Sequence, residues 1–307
     1  MRNPFRRKRA AGREVGPGEV KQVGLQGGFV ALQAEASARW SQRSYAGLAR
    51  EGYMRNPVAH RCVRLVAEAV SSVPFLLYEG GRDLDRHPML DLLARPNGRM
   101  TGTGLVEAIC GHLLLSGNAF VEAVAVAGRP RELHVLRPDR MRVVEGPDGW
   151  PVAFDYTVGD RRRRLALEPE NGGGLLHLRL FDPLDDHLGF APLAAAHDAL
   201  DLSNAAAAWN KALLGIPGDN TYANYAEANR AFYRLTVLPL LTRLTGALGG
   251  FLAPAFGAGL RLTYDADAIA GLSAEREALW SRVGAADFLT EDEKREAVGY
   301  PPLRAAG

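Results

Sequence analysis

Residues 192–227 read PLAAAHDALDLSNAAAAWNKALLGIPGDNTYANYAE, two helix-forming segments separated by a short run of loop-forming residues. The Ala-rich part, 192–214, has high helix propensity. Small and apolar side chains recur there at three- and four-residue steps and form one stripe: Leu193, Ala196, Leu200, Ser203, Ala207 and Asn210. Gly, Pro, Asp and Asn between 215 and 220 end that helix. A second helix is predicted from about Tyr225 to Leu248, and Pro239 inside it predicts a kink or a break.

The segment before this stretch predicts further helices. Residues 57–73, PVAHRCVRLVAEAVSSV, form an amphipathic helix that Asn56 caps, with Pro57 in its first turn. Shorter helices are predicted at 89–95 and from about Thr103 to Leu115. Apolar periodicity assigns one stripe of the 57–73 helix to the core: Val58, Cys62, Leu65, Val66, Ala69, Val70 and Val73.

The middle and the end of the chain predict strands and two short helices. Five short segments of alternating polarity between 132 and 180 indicate an antiparallel meander. Arg161 to Arg164 within it suit an exposed edge strand. Beyond the second long helix, a strand near 259–268 and a helix near 275–285 precede a capping box formed by Thr290 and Glu293.

Composition excludes several classes of protein. The formal net charge of the 307 residues is only +2, from 37 Lys and Arg against 35 Asp and Glu, whereas a protein that wraps nucleic acid carries a strong basic excess. No run approaches the roughly 18 apolar residues that span a membrane. Residues 1–24 are predicted to be a flexible basic arm, because they are rich in Gly and Arg and have no apolar period, and no apolar signal core follows them. Cys62 and Cys110 are expected to be buried thiols on helices rather than a disulfide.

Known catalytic motifs are absent from the sequence, which has no Walker-type loop, HExxH, CxxC pair or GxSxG. The sharpest candidate is His197 with Asp198 and Asp201, because His197 and Asp201 share one helix face and could hold a divalent metal. Two ligands are too few for a metal site, and a hydrogen-bonded His–Asp pair on a packed face explains the spacing equally well. A second acidic group, Asp182, Asp185 and Asp186 beside His187, is typical of a turn with side-chain-to-backbone bonds.

The loop GIPGDNTYANYAE, residues 215–227, has two interpretations. Its polar uncharged groups and its tyrosines could touch a nucleic-acid backbone weakly, without the salt-dependent grip of a row of Lys and Arg. Alternatively, it only leads into the next helix, with Asn224 as the cap.

Several segments, in this order and spacing, resemble the portal proteins of siphophages and gene transfer agents. They are NPVAHRCVRLVAEAVSSVPFLLY, HPMLDLLARPNGRMTG, LVEAICGHLLLSGNAFVE, ELHVLRPDRM, GFAPLAAAHDAL, GIPGDNTYANYAEANRAFYRLTVLPLL and ADFLTEDEKREAVGYPP. The resemblance implies an α+β portal fold with a mixed α/β wing domain, long stem and tunnel helices, and a small C-terminal α/β part.

The resemblance also implies a division of the chain into a wing at 25–190, a stem helix at 191–214, a DNA-facing tunnel loop at 215–226, a long helix at 225–250, and a C-terminal wing and crown segment at 251–307. In the tunnel loop, the residues implied to lie near DNA are Asp219, Asn220, Tyr222 and Asn224. In the stem, those implied to pack subunits together are Ala199, Ser203, Ala206 and Asn210. The family carries out no catalysis, so no catalytic, cofactor-binding or metal-binding residue is implied.

The partners implied are other copies of the chain in a ring of twelve, double-stranded DNA in the channel, the large terminase, a head-tail adaptor and the major capsid protein, with no membrane. The ring would stand at the portal vertex of a virion or virus-like particle assembled in the bacterial cytoplasm. It would serve DNA packaging, DNA ejection and head-tail joining.

One departure concerns the clip. Between Leu214 and Gly215 the family carries several dozen further residues, which form the clip and a second stem helix. Either this protein has lost them or they are omitted here, and the second is favoured. Two alternative functions stay open: a metal-dependent nuclease or hydrolase that uses His197, Asp198 and Asp201, and another structural adaptor of a phage-like particle.

Overall fold

The structure is a computed structural model that describes residues 44–167, 173–201, 204 and 222–300, with only the backbone for 222–226. All of these residues belong to one compact unit. The predicted basic arm, 1–24, lies outside the described residues.

Helices and strands alternate irregularly along the chain. The helices are α1 (Tyr45–Gly47, continued by a π-helical turn, Leu48–Met54), α2 (Pro57–Ser71), α3 (Pro88–Ala94), α4 (Gly102–Ser116), α5 (Pro192–Ala195), α6 (Tyr222–Phe232), α7 (Leu238–Phe256), α8 (Ser273–Gly284) and α9 (Glu291–Val298). The strands are β1 (Phe75–Glu79), β2 (Arg82–Asp83), β3 (Asn118–Val126), β4 (Arg129–Leu136), β5 (Met141–Glu145), β6 (Pro151–Val158), β7 (Arg161–Ala166), β8 (Gly174–Arg179) and β9 (Leu260–Tyr264). This mixture confirms the α+β class.

The strands form three antiparallel sheets, with orders β2-β1-β9, β4-β3-β8 and β5-β6-β7. Of the five segments predicted to form an antiparallel meander, only β5, β6 and β7 pair with one another in sequence order, so the prediction was wrong for the other two. The other two predicted segments are β4 and β8. They do not pair with each other, because the long strand β3 lies between them and pairs with both.

The main core lies around one long helix. Helices α6 and α7 join through a π-helical turn, Tyr233–Val237, and the helix therefore continues past Pro239 without the predicted break. Proline has no N–H to donate, and the wider π turn just before it accommodates the ring. One face of this helix is almost fully buried: Val237, Leu241, Leu244, Leu248 and Leu252. By length and composition, Glu227–Phe256 is also apolar enough to cross a membrane, but this face packs into the core.

Helix α2 packs against α4 with a different face from the predicted one. Asn56 caps it as expected, accepting from the N–H groups of Val58 and Ala59. Small and branched side chains form the buried face: Ala59, Val63, Ala67 and Val70. The predicted stripe was partly wrong, since Val58, Cys62 and Leu65 are exposed on the outer face.

The cysteines differ in environment. Both are free thiols, but only Cys110 is buried, and burial raises the pKa of its thiol to about 12. The expectation of a buried thiol was therefore wrong for Cys62.

A second, smaller core lies between the sheets of β3 and β6, where Phe120 and Phe154 meet edge to face at 4.9 Å. The arginines of β7 stand on an exposed edge strand, as predicted, but they also hold this region together. Arg162 and Arg164 pair with the buried Asp155 and lower the pKa of its carboxyl to about 2. Arg163 makes two 2.6 Å bonds to Glu122 of β3, which join the two sheets.

Helix α4 ends at Gly117, whose φ of 73° lies in the left-handed region. A Cβ at Gly117 would overlap the backbone of Gly189 and Phe190, whereas a Cβ at Gly111 of the same helix would meet nothing. We therefore predict opposite effects of alanine at the two positions. Gly117→Ala should lower the free energy of unfolding by about 2 kcal/mol or more. Gly111→Ala should raise it by about 0.5–1 kcal/mol. Urea unfolding of both variants checks this, and equal stabilities would contradict the assigned close approach.

Candidate functional site

The residues predicted to face DNA lie at the edge of the described structure. Asp219 and Asn220 lie outside the described residues. Tyr222 and Asn224 belong to the first described turn of α6, of which only the backbone is described. The helix was predicted to begin at Tyr225, but its backbone is already helical at Tyr222. Asn224 is therefore inside the helix and is not its cap.

Of the residues predicted to pack subunits in the stem, the structure describes Ala199, which is exposed. Ser203, Ala206 and Asn210 lie outside the described residues. The Ala-rich segment is helical at 192–195 and again at 197–201 and at 204, with a turn at Ala196 between. This turn was not predicted, and it exposes Ala196 while His197 is buried.

The start of the Ala-rich helix is fixed to the body by two asparagines. The Nδ2 of the buried Asn56 donates to Asn204 Oδ1 at 3.1 Å, and Asn204 Nδ2 donates to the Glu51 carbonyl at 2.9 Å. Since Asn56 Oδ1 also caps α2, one side chain couples the N-terminus of α2 to the Ala-rich helix. Sequence reasoning missed Asn204 and Glu51, because no spacing marks a contact between residues 148 positions apart.

An apolar contact reinforces this junction. A Cβ at Gly52 would lie 2.9 Å from Leu193 Cδ2 and 3.5 Å from Leu200 Cδ1. The π-helical turn that contains Gly52 thus offers a side-chain-free surface on which both leucines of the predicted stripe pack.

The same N-terminal segment is tied to α4 through Tyr45 and His112, whose hydroxyl and Nδ1 lie 3.1 Å apart. Burial lowers the pKa of His112 to about 4, so the ring is neutral near neutral pH. Burial also raises the pKa of Tyr45. This contact is a neutral, partly buried hydrogen bond rather than an ion pair.

His197 lies between two carboxylates. Its Nδ1 is 3.1 Å from Asp198 Oδ1, and its Nε2 is 3.7 Å from Asp201 Oδ2. The ring is 97% buried, since only 3% of its surface is exposed. The hydrogen bond of His197 is thus to its exposed chain neighbour Asp198, whereas Asp201, which shares its helix face, lies slightly beyond hydrogen-bond distance. Across the described part of the chain, no group of three or more His, Cys, Asp or Glu side chains could hold a metal ion.

The acidic segment 181–190 is a structured loop, as predicted. Asp182 Oδ1 accepts from the Leu184 N–H at 2.9 Å, and Asp185 Oδ1 accepts from the N–H groups of His187 and Leu188 at 2.8 and 2.9 Å. These bonds lower the pKa of Asp185, which stays ionised. The carboxylates therefore shape the loop, and Asp182 and Asp185 also line a cleft beside Asp139.

The long helix is also anchored near the end from which it leaves the body. Arg230 Nε and Arg234 Nη1 approach Glu275 Oε1 of α8 at 3.3 and 3.6 Å. A Cβ at Gly271 would overlap the Tyr233 ring, so the 270–272 turn fits closely against the π-helical turn. Both helices that flank residues 205–221 are thus fixed to the body.

Comparison with known proteins gives consistent matches. The family model described as "Phage portal protein" matches residues 57–215 and 210–299. A solved structure described as "Neck of empty GTA particle computed with C6 symmetry" is 39% identical with a TM-score of 0.75, covering 89% of this chain and 98% of that one. One described as "Neck of native GTA particle computed with C12 symmetry" is 38% identical with a TM-score of 0.71 and the same coverage.

A curated relative extends these matches. An uncharacterized protein of Rickettsia bellii (strain RML369-C) is 23% identical over 344 aligned positions, covering 83% of this chain and 89% of the relative.

We predict that Asn204→Ala lowers the free energy of unfolding by about 1–2 kcal/mol, because two hydrogen bonds to the body are lost. In an Asn56→Ala background the same change should cost less, since the shared bond is already gone. A double-mutant cycle by urea unfolding measures this coupling. Strictly additive effects would show that the two asparagines do not act together.

Proposed function

Since the chain belongs to the phage portal protein family, we propose that it is a portal subunit, many copies of which form a ring at one vertex of a virus-like capsid. The observation that carries this proposal is the family match, which extends from residue 57 to residue 299. The role is structural: DNA passes through the ring during packaging and ejection, and the ring joins head to tail.

The solved relatives support the location and the symmetry that we propose. They are described as necks and a virion of gene transfer agent particles, and one neck was computed with C12 symmetry. We infer that this chain forms a ring of twelve in such a particle. A closed ring of identical subunits requires that two different surfaces of each subunit meet around the axis.

We propose that residues 215–226 form the tunnel loop that approaches DNA. The anchorage of both flanking helices supports this, because it holds the ends of the intervening segment in place. The near-neutral charge of +2 also suits a channel through which DNA slides without being gripped. The residues assigned to the DNA-facing surface are Asp219, Asn220, Tyr222 and Asn224.

We also propose that a clip segment is missing between Leu214 and Gly215. The family model matches in two separate stretches, 57–215 and 210–299, that meet at this point. The alignment to the Rickettsia relative has 344 positions, although the whole chain has only 307 residues. The large terminase, the head-tail adaptor and the major capsid protein are the further partners that we assign to the complete portal.

A nuclease or hydrolase centred on His197 is not favoured. Only 3% of the surface of His197 is exposed, so its imidazole is not accessible as a general base or metal ligand at a surface cleft.

The tunnel-loop assignment predicts that Tyr222→Ala and Asn220→Ala leave ring assembly intact but change the amount of DNA retained per particle. Neither side chain is assigned to subunit packing, while both are assigned to the DNA path. Ring yield by size-exclusion chromatography and DNA content per particle measure the two effects. Unchanged DNA content in both variants would remove these residues from the DNA path.

The stem assignment predicts that Ala206→Glu lowers ring yield roughly tenfold or more, because a charge placed in a close-packed interface is costly. The matched control is Ala278→Glu, at an exposed position of α8, which should assemble normally. Light scattering of the purified proteins measures the oligomer fraction. Equal ring yields would show that Ala206 does not lie between subunits.

A further inference from the structure

The outer face of α2 and the turn before it expose a row of apolar side chains. Met54, Val58 and Leu65 are 77%, 54% and 40% exposed, and Cys62 is also exposed. Val58, Cys62 and Leu65 follow one another at three- and four-residue steps, so they lie along one side of α2, and Met54 precedes them in the turn before the helix. In the described chain nothing covers this side, which we call the α2 outer face.

The α2 outer face is basic at its margins. Between residues 50 and 68 the sequence has four arginines and two glutamates, a net charge of +2. The arginines are all exposed: Arg50, Arg55, Arg61 and Arg64. Glu51 pairs with Arg55, and Glu68 pairs with both Arg61 and Arg64, so this charge is held in a fixed arrangement.

The acidic loop, residues 181–190, has the complementary character. Phe181 and Leu184 are 81% and 95% exposed. Three aspartates and no Lys or Arg give the loop a formal charge of −3. The loop therefore combines exposed apolar side chains with a net charge opposite to that of the α2 outer face.

The acidic loop is rigid enough to present these side chains. The bonds from Asp182 and Asp185 to backbone N–H groups fix its turns, and Arg179 donates to the Asp186 carbonyl. An apolar side chain held outward by a fixed turn loses little further freedom when a partner covers it.

The two surfaces are formed by different segments of the chain. The buried face of α2 packs on α4, so the α2 outer face points away from α4. The acidic loop contacts the far end of that region, where Gly189 donates to Asn118 Oδ1 just after α4 ends. Asp182 and Asp185 of the loop also line a cleft together with Tyr45 and Leu48, which precede the α2 outer face in the chain.

We propose that, in the ring, the α2 outer face of one subunit packs against the acidic loop of its neighbour. This inference rests on the proposed function, because it needs a closed ring of copies. Two unlike surfaces that match in apolar character and in opposite charge are what a head-to-tail contact repeated by rotation requires. The contact would cover Met54, Val58, Leu65, Phe181 and Leu184 with apolar surface and set arginines against aspartates at its rim.

The native Cys62 allows a direct test in the full chain. A Leu184→Cys variant places a second thiol in the acidic loop, and a short bismaleimide joins two thiols by adding one thiolate to each of its double bonds. Cys110 is buried with a pKa raised to about 12 and does not compete. Assembled rings are first verified by electron microscopy, then treated and separated on a denaturing gel.

We expect a ladder of covalent oligomers from Leu184→Cys, formed on the order of a thousandfold faster than between unassembled micromolar subunits, because neighbouring sites in a ring are at an effective millimolar concentration. Leu184→Cys combined with Cys62→Ser should give no ladder. Phe288→Cys with Cys62 retained is the control for an equally exposed thiol elsewhere, since Phe288 is 86% exposed.

Intact rings in which Leu184→Cys crosslinks no more than Phe288→Cys would overturn the proposed contact and leave the portal function standing. Failure of every variant and of the unmodified protein to form rings would overturn the portal function itself, and the contact with it.

Discussion

Burial of one face of the long helix is the constraint on which the rest of the structure depends. Val237, Leu241, Leu244, Leu248 and Leu252 are all buried in the main core. Burying each such side chain contributes about 1.5–3 kcal/mol. Helices α2 and α3 and the sheets of β1 and β3 pack around this face, so its position sets theirs. The N-terminal end of this helix extends from the core toward Tyr222. The direction in which that end points is set by the packing of the buried part of the helix.

Polar contacts then set the position of the second helix that leaves the body. Asn56 caps α2 and bonds to Asn204, while Leu193 and Leu200 pack on Gly52. A small movement of α2 would therefore be transmitted through Asn56 to the Ala-rich segment at Asn204. The proposed contact between the α2 outer face and the acidic loop would join subunits around a ring.

Local features were predictable from the sequence, and long-range ones were not. The Asn56 cap, the Thr290–Glu293 capping box and the turns of the acidic loop each depend on residues a few positions apart, and all three are present. The assignment of Val58, Cys62 and Leu65 to the core was wrong, because periodicity identifies an apolar face without showing what covers it. The Asn56–Asn204 bond and the pairing of β3 with both β4 and β8 depend on distant segments, so no local pattern could reveal them.

The central claim is that the segment ending at Tyr222 points toward the axis of a ring. The most direct test attaches a gold label to a Tyr222→Cys variant in a Cys62→Ser background and images the assembled particles. Among the described residues the introduced thiol is then the only reactive one, because Cys110 is buried. The account predicts rings with the label in or beside the central hole. A label on the outer rim, or a protein that stays monomeric in solution and in particles, would contradict it.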